Sequence, residues 1–290
     1  MTEQVEDHPS IWSALREVEF RHGFLDAGGV RTRYAESGPV DAPAVVMLHG
    51  TGGHWETFAR NLGPYGEHFR SVAFDFVGNG FSERPDHDYE ISHYVDHTLA
   101  VFDALGIAHA HLLGTSLGSW VAAAVALRHP ERVDRLVLMS VAGLVASEEN
   151  MQRIIATRMR AVEDPNWASI AAMFEHLIAE EHNRLPDLVS LRQAIYRQPG
   201  MVAAMRHTLA LQEMEIRNRN LLTETEWRSI EHPTLTIASG RDFSEYSNTS
   251  RAVAQLMPNA TVLEMADVKH WPHFENAARF NAASLDFLLS

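Results

Sequence analysis

The sequence predicts an α/β protein with a mostly parallel central sheet, covered by helices on both faces and interrupted by a helical insertion. Three observations carry this. Short apolar runs at 44–48, 71–75, 111–113, 135–139, 234–237 and 261–265 alternate with helical stretches, as strands buried on both faces do. Between 147 and 222 no strand signal occurs; Met, Trp and Phe recur there at helical spacings, with breaks near Pro165, Pro186 and Pro199. Finally, Gly114-Thr115-Ser116-Leu117-Gly118 joins an apolar strand to the Ala-rich helical run 119–127. The chain therefore divides into a core at 1–146, a helical cap at 147–222 and the rest of the core at 223–290.

Taken in order, residues 10–19 read as a short amphipathic helix. Gly28-Gly29 between two alternating runs predicts a hairpin. The strand at 44–48 ends in His49-Gly50-Thr51-Gly52-Gly53, and the next, at 71–75, runs into Gly78 and Gly80. That second glycine pair lacks a third Gly or a following Lys-Ser, so it reads as a loop and not a phosphate cradle. A helix is expected over 91–105. His93 and His97 have the i, i+4 spacing of a zinc pair, but Tyr94 replaces the Glu that metal-assisted hydrolysis needs, so they read as a surface pair. A final helix is expected over 276–289.

Composition narrows the function. A chain of 290 residues suits one domain with an insertion. Its net charge of −14 argues against a general nucleic-acid or anionic-membrane binder. An anionic small molecule remains compatible, because a local Arg outweighs distant surface charge. With no cysteine there is no disulfide framework, thiol nucleophile or thiolate metal site. Residues 1–7 are acidic and lack a basic-then-apolar signal. No apolar run approaches the ~20 residues of a bilayer span. The expectation is a soluble cytoplasmic protein with a small-molecule substrate, no cofactor, no metal, and compatibility with a homodimer.

The chemistry centres on Ser116. In a glycine-flanked strand-to-helix turn the hydroxyl is held above the sheet, beside the free N–H groups of a helix start. Ligands of parallel sheets bind at the carboxyl ends of strands, and there the sequence offers Ser116, Asp242 and His270 in nucleophile–acid–base order. His270 would take a proton from Ser116 or from water, with Asp242 fixing its tautomer. Thr51 and Leu117 would donate backbone N–H groups to an oxyanion. His273 is a competing base, and Asp267 a competing acid.

Several motifs together resemble the α/β-hydrolase fold over almost the whole length. They are Leu48-His49-Gly50-Thr51-Gly52-Gly53, Asp75-x-x-Gly78-x-Gly80-x-Ser82, Gly114-x-Ser116-x-Gly118-x-Trp120, His129-Pro130-Glu131-Arg132-Val133 and His270-Trp271-Pro272-His273-Phe274-Glu275. Trp271 after the His, the C-terminal helix and the cap segment 191–200 are similar to the meta-cleavage product hydrolases, which cut a C–C bond in 2-hydroxy-6-oxo-hexa-2,4-dienoates. The resemblance implies a cap arginine on the substrate carboxylate, best matched by Arg192 and next by Arg197. It also implies Gly50, Thr115 and Trp271 at the substrate. The sequence departs from that family at Lys269, where a Gly is usual, and in the short acid loop 240–244. The competing readings are a carboxylesterase or lactonase with the same triad, and a noncatalytic binder on this fold.

Overall fold

The computed structural model describes residues 10–290; the acidic stretch 1–7 lies outside the described residues. Helix α1 (Ile11–Leu15) is capped by the Ser10 hydroxyl on the Trp12 N–H. It is shorter than the predicted 10–19: the chain leaves the helix in a turn closed by the Val18 N–H on Leu15 O at 3.0 Å, and β1 (Phe20–Ala27) follows. Gly28 and Gly29, with φ of 62° and 88°, make the two-residue turn into β2 (Val30–Ser37). Next come β3 (Ala44–Leu48), α2 (Ala59–Gly66), β4 (Arg70–Phe74), α3 (Ile91–Leu105), β5 (Ala110–Thr115), α4 (Leu117–Arg128) and β6 (Val133–Met139).

A strand-free stretch then holds α5 (Glu148–Glu163), α6 (Trp167–Leu177), α7 (Pro186–Tyr196), α8 (Met201–Leu209) and α9 (Met214–Asn220). Pro165 lies between α5 and α6, Pro186 opens α7, and Pro199 separates α7 from α8. At these positions a missing N–H and a fixed φ start or stop a helix. The chain returns through α10 (Glu224–Ser229), β7 (Thr234–Ser239), α11 (Ser244–Leu256), β8 (Ala260–Met265), α12 (Pro272–Glu275) and α13 (Ala277–Leu289).

The strands form one sheet in the order β1-β2-β4-β3-β5-β6-β7-β8. Only β2 runs antiparallel to its neighbours; the other pairs are parallel. Alternation along β3 shows the two buried faces. Val45 and Met47 pack with α1, α2 and α13, whereas Val46 and Leu48 pack with α3, α4 and α11.

The α5–α9 stretch is tied to loops that follow strand carboxyl ends. The Gln198 amide donates to Gly80 O, and the Leu222 N–H to Gly143 O. The Trp271 N–H donates to Leu177 O. These bonds lay the helices over the carboxyl edge of the sheet. Among the described residues no helix is long and apolar enough to cross a membrane.

Two local expectations are corrected or given a cause. His97 is not a surface residue. It is buried, pairs with Thr32 Oγ1 at 2.7 Å through Nε2, and accepts the Val77 N–H at 3.1 Å on Nδ1. Burial of a ring that must stay neutral pulls its pKa down to about 3. The Asp75–Ser82 motif is a loop closed on its own carboxylate. Asp75 accepts the Trp55 and Phe81 N–H groups at 2.8 and 2.9 Å. Gly80 sits at φ 57°, where a Cβ would lie 2.1 Å from Asp75 Oδ2.

Candidate active site

Ser116 occupies the turn between β5 and α4 with φ 55° and ψ −116°, a region that disfavours a side chain and persists only where the surroundings enforce it. The enforcement is visible. Its N–H donates to Met139 O at 3.0 Å, and its carbonyl accepts the Ser119 and Trp120 N–H groups. A Cβ on Gly118 would lie 2.0 Å from Leu48 O, and one on Gly114 2.3 Å from Gly118 O. Strand and helix therefore approach as closely as glycine permits. The Leu117 N–H, first in its helix, has no intrahelical acceptor.

Beside the turn runs the loop 50–53. His49 holds it by pairing Nδ1 with Gly50 O at 2.7 Å, while its Nε2 accepts the Phe76 N–H at 3.0 Å. This ring is fully buried, and desolvation, the largest effect on it, pulls its pKa down to about 3. Asn79 accepts the Gly52 N–H at 3.0 Å. The backbone of Gly50 lies against Ser116, since a Cβ there would be 3.3 Å from Ser116 Cβ. The Thr51 N–H has no hydrogen-bond acceptor among the described residues, as an oxyanion donor requires.

Asp242 follows β7 and His270 follows β8. The Asp242 side chain is fully buried and lies 2.9 Å (Oδ2) and 3.1 Å (Oδ1) from His270 Nδ1. Its Oδ1 also accepts the Phe243 N–H at 2.8 Å, and its Oδ2 the Ser140 hydroxyl at 2.9 Å. The Tyr246 ring packs edge-on to His270, with centroids 4.6 Å apart. A carboxylate so held keeps the proton of the neutral imidazole on Nδ1 and leaves Nε2 free to accept one.

Ser116 and His270 line one cavity of ≈ 640 Å³, mouth included, with Gly50, Thr51, Trp271 and Arg192 also in its wall. Arg192, on α7, is 1% exposed. Among the described residues its Nη1 hydrogen-bonds only Tyr196 Oη, at 3.4 Å, and its Nε and Nη2 have no partner. The Trp271 ring stands against Phe174 at 5.8 Å.

Comparison with known proteins agrees with this geometry. Residues 43–277 match the family model described as the alpha/beta hydrolase fold. The 2-hydroxymuconate semialdehyde hydrolase of Pseudomonas sp. (strain CF600) is 31% identical, over 90% of this chain and 92% of that protein. The 2-hydroxy-6-oxo-6-phenylhexa-2,4-dienoate hydrolase of Comamonas testosteroni is 26% identical over 99% of both. A mutant meta-cleavage product hydrolase of Pseudomonas fluorescens IP01, solved with acetates, superposes with a TM-score of 0.79 at 26% identity, covering 94% of this chain and 98% of that one. The chain belongs to the α/β-hydrolase family.

Not every residue singled out in this α/β hydrolase meets the cavity. Thr115 is buried, does not line it, and leaves its hydroxyl without a partner. His273 packs on Phe58 at 4.9 Å, away from Ser116. Asp267 is a surface residue near Asn276 and Arg279. Arg197 is exposed at the end of α7. Lys269 donates through Nζ to Glu175 O at 2.6 Å and so ties the His270 loop to α6.

Sequence reasoning missed the rest of the wall. Tyr246 and Phe243 come from α11 and the loop before it, Arg153, Ile154, Thr157 and Arg158 from one face of α5, and Met173, His176 and Leu177 from α6. Ser140, at φ 45°, was also missed. The one available signal was Arg158 itself, a cation whose helical neighbours at three and four residues are Ile154, Ile155, Ala161 and Val162.

Proposed function

We propose that this chain is a serine hydrolase that cleaves a C–C bond in a 2-hydroxy-6-oxo-hexa-2,4-dienoate, with Ser116, His270 and Asp242 as its triad. The observation that carries the substrate class is Arg192. A buried guanidinium with two unpartnered nitrogens, in the same cavity as Ser116 and His270, needs an anion to offset its desolvation. The names of the relatives support the same class: they are hydrolases of 2-hydroxymuconate semialdehyde and of a 2-hydroxy-6-oxo-dienoate.

The chemistry follows from the wall. The dienol first ketonises, its hydroxyl proton ending on C5, with His270 moving protons. Ser116 then gives its proton to His270 and adds to the C6 ketone, and the oxyanion rests on the Thr51 and Leu117 N–H groups. Collapse breaks C5–C6 and sends the electron pair toward the 2-oxygen. A proton from His270 completes 2-hydroxypenta-2,4-dienoate. Water, deprotonated by His270, releases the second carboxylic acid, so one water is consumed per turnover. Asp242 holds the imidazole and stabilises its charged form.

Arg192→Ala is expected to lower kcat/KM on the dienoate by about a hundredfold, the loss of a charge-assisted pair. Hydrolysis of a neutral p-nitrophenyl ester should fall far less. Equal losses on both substrates would favour the esterase reading, in which Arg192 only shapes the wall.

A further inference from the structure

The cavity holds more positive charge than one carboxylate accounts for. Arg153 and Arg158 on α5 and Arg192 on α7 all line it, and among the described residues no Asp or Glu does. The three are not equivalent. Arg153 donates to Asn150 Oδ1 at 2.5 Å, stacks on Phe243 at 3.9 Å, and feels the charges of Asp242 and Glu245. Arg158 and Arg192 form no ion pair among the described residues. The Nη1 of Arg158 is sealed from solvent without a partner, as are Nε and Nη2 of Arg192.

Both arginines come to the glycine loop beside Tyr196. A Cβ on Gly52 would be 3.2 Å from Tyr196 Oη and 3.9 Å from Arg158 Cδ, and Tyr196 Oη is the one partner of Arg192. Burial, the largest cause, pulls the Arg158 pKa down to about 10, with Arg192 and Arg153 acting the same way and Tyr196 and Tyr246 opposing them. Two guanidinium groups in one cavity wall, Arg192 buried and Arg158 half-buried, repel each other. Beside Arg192 stand only the Phe174 and Tyr196 rings and, among the described residues, no carboxylate, an arrangement that a fold retains at a cost in stability.

We propose that Arg158 and Arg192 form a two-guanidinium receptor for a substrate head bearing two adjacent oxygen acceptors, a carboxylate and a vicinal 2-oxo or enolate oxygen. For the reaction this rests on the C–C cleavage reading; for binding it stands without it. When C5–C6 breaks, the electron pair comes to rest on the 2-oxygen. A second guanidinium there stabilises the dienolate before its 2-oxygen is protonated. A plain carboxylate would use only one of the two arginines.

The test compares 2-oxopentanoate with pentanoate by titration calorimetry on the full chain, wild type and Arg158→Met, alongside dienoate turnover and thermal unfolding. Wild type should bind the 2-oxo acid about tenfold or more tightly than the plain acid, the worth of a charge-assisted hydrogen bond. In Arg158→Met that ratio should fall to about one, kcat/KM on the dienoate should fall by a similar factor, and the ligand-free protein should melt no lower than wild type, because a repulsion has been removed. Arg158→Lys, which keeps charge but not the planar fork, should recover part of the ratio. A wild-type ratio near one, or a ratio unchanged in Arg158→Met, overturns the receptor, and a lowered melting temperature with an unchanged ratio marks Arg158 as structural. If the dienoate is not cleaved but the ratio still depends on Arg158, the reaction reading falls and the receptor stands. If the dienoate is cleaved and the ratio ignores Arg158, the receptor falls alone.

Discussion

Ser116 stores backbone strain where the account places the chemistry. A side chain at φ 55° and ψ −116° costs about 1–3 kcal/mol. Ser116→Gly should therefore be inactive yet more stable than wild type by about 1 kcal/mol. Ser116→Ala should be equally inactive with near-native stability. Thermal or urea unfolding of both proteins decides the point, and a destabilised Ser116→Gly would mean that the turn is not strained. Asp242→Asn presents the wrong hydrogen-bonding partner to His270 Nδ1 and should cost about four orders of magnitude in kcat. If turnover survives, the Asp242–His270 contact at 2.9 Å orients nothing that matters. The Asp242–His270 pairing and the cavity shared by Ser116 and His270 join residues that the sequence offered, because each stands where a strand gives way to a loop. Thr115 was misread because the last strand position points into the core and not into the cavity. Arg158 left only its apolar helical neighbours as a signal, because nothing in a helix sequence tells which face closes a pocket contributed by six other segments.

At the scale of elements, legibility followed local physics. Helix α3 matched its predicted limits, since Gly106 at φ 67° terminates it. Helices α2 and α11 gave no clear signal. The first contains Gly63, Pro64 and Gly66, and the second opens on Ser, Asn and Thr, residues of weak helical preference. Tertiary burial of Leu62, Tyr65, Tyr246 and Val253 supplies what propensity does not. Strand β2 carries a second feature hidden from sequence. Arg33 is buried between Glu56 and Asp75 and donates through Nε to His22 Nε2 at 2.9 Å, joining β2 to the loop after β4. Arg33→Met leaves two carboxylates without a counter-ion and should destabilise the fold by about 3–5 kcal/mol. Urea denaturation measures this, and a change under about 1 kcal/mol would place the pair in the weak class of surface ion pairs.

For the molecule as a whole, the number of buried neutral histidines predicts acid sensitivity. His49, His97 and His273 are each pulled down to about 3, burial being the largest cause in each. The sign follows from linkage. Between pH 6.5 and about 3 the unfolded chain binds protons at these rings and the folded chain does not, so stability falls as pH falls through that window. Each ring contributes a slope of about 1.4 kcal/mol per pH unit. His97→Gln should flatten the wild-type profile below pH 6 by that amount, and parallel profiles would show that His97 titrates alike in both states. The overall charge of −14 concealed a cavity walled by arginines, because composition averages over positions that folding separates.

The central claim is C–C bond hydrolysis at Ser116, and one measurement bears on it most directly: wild type and Ser116→Ala incubated with a 2-hydroxy-6-oxo-hexa-2,4-dienoate, following loss of its visible band and identifying the products. Wild type is expected to give equimolar 2-hydroxypenta-2,4-dienoate and carboxylic acid, with the rate lowered by at least about three orders of magnitude in Ser116→Ala. A wild-type enzyme that leaves the dienoate intact while hydrolysing p-nitrophenyl esters would contradict it.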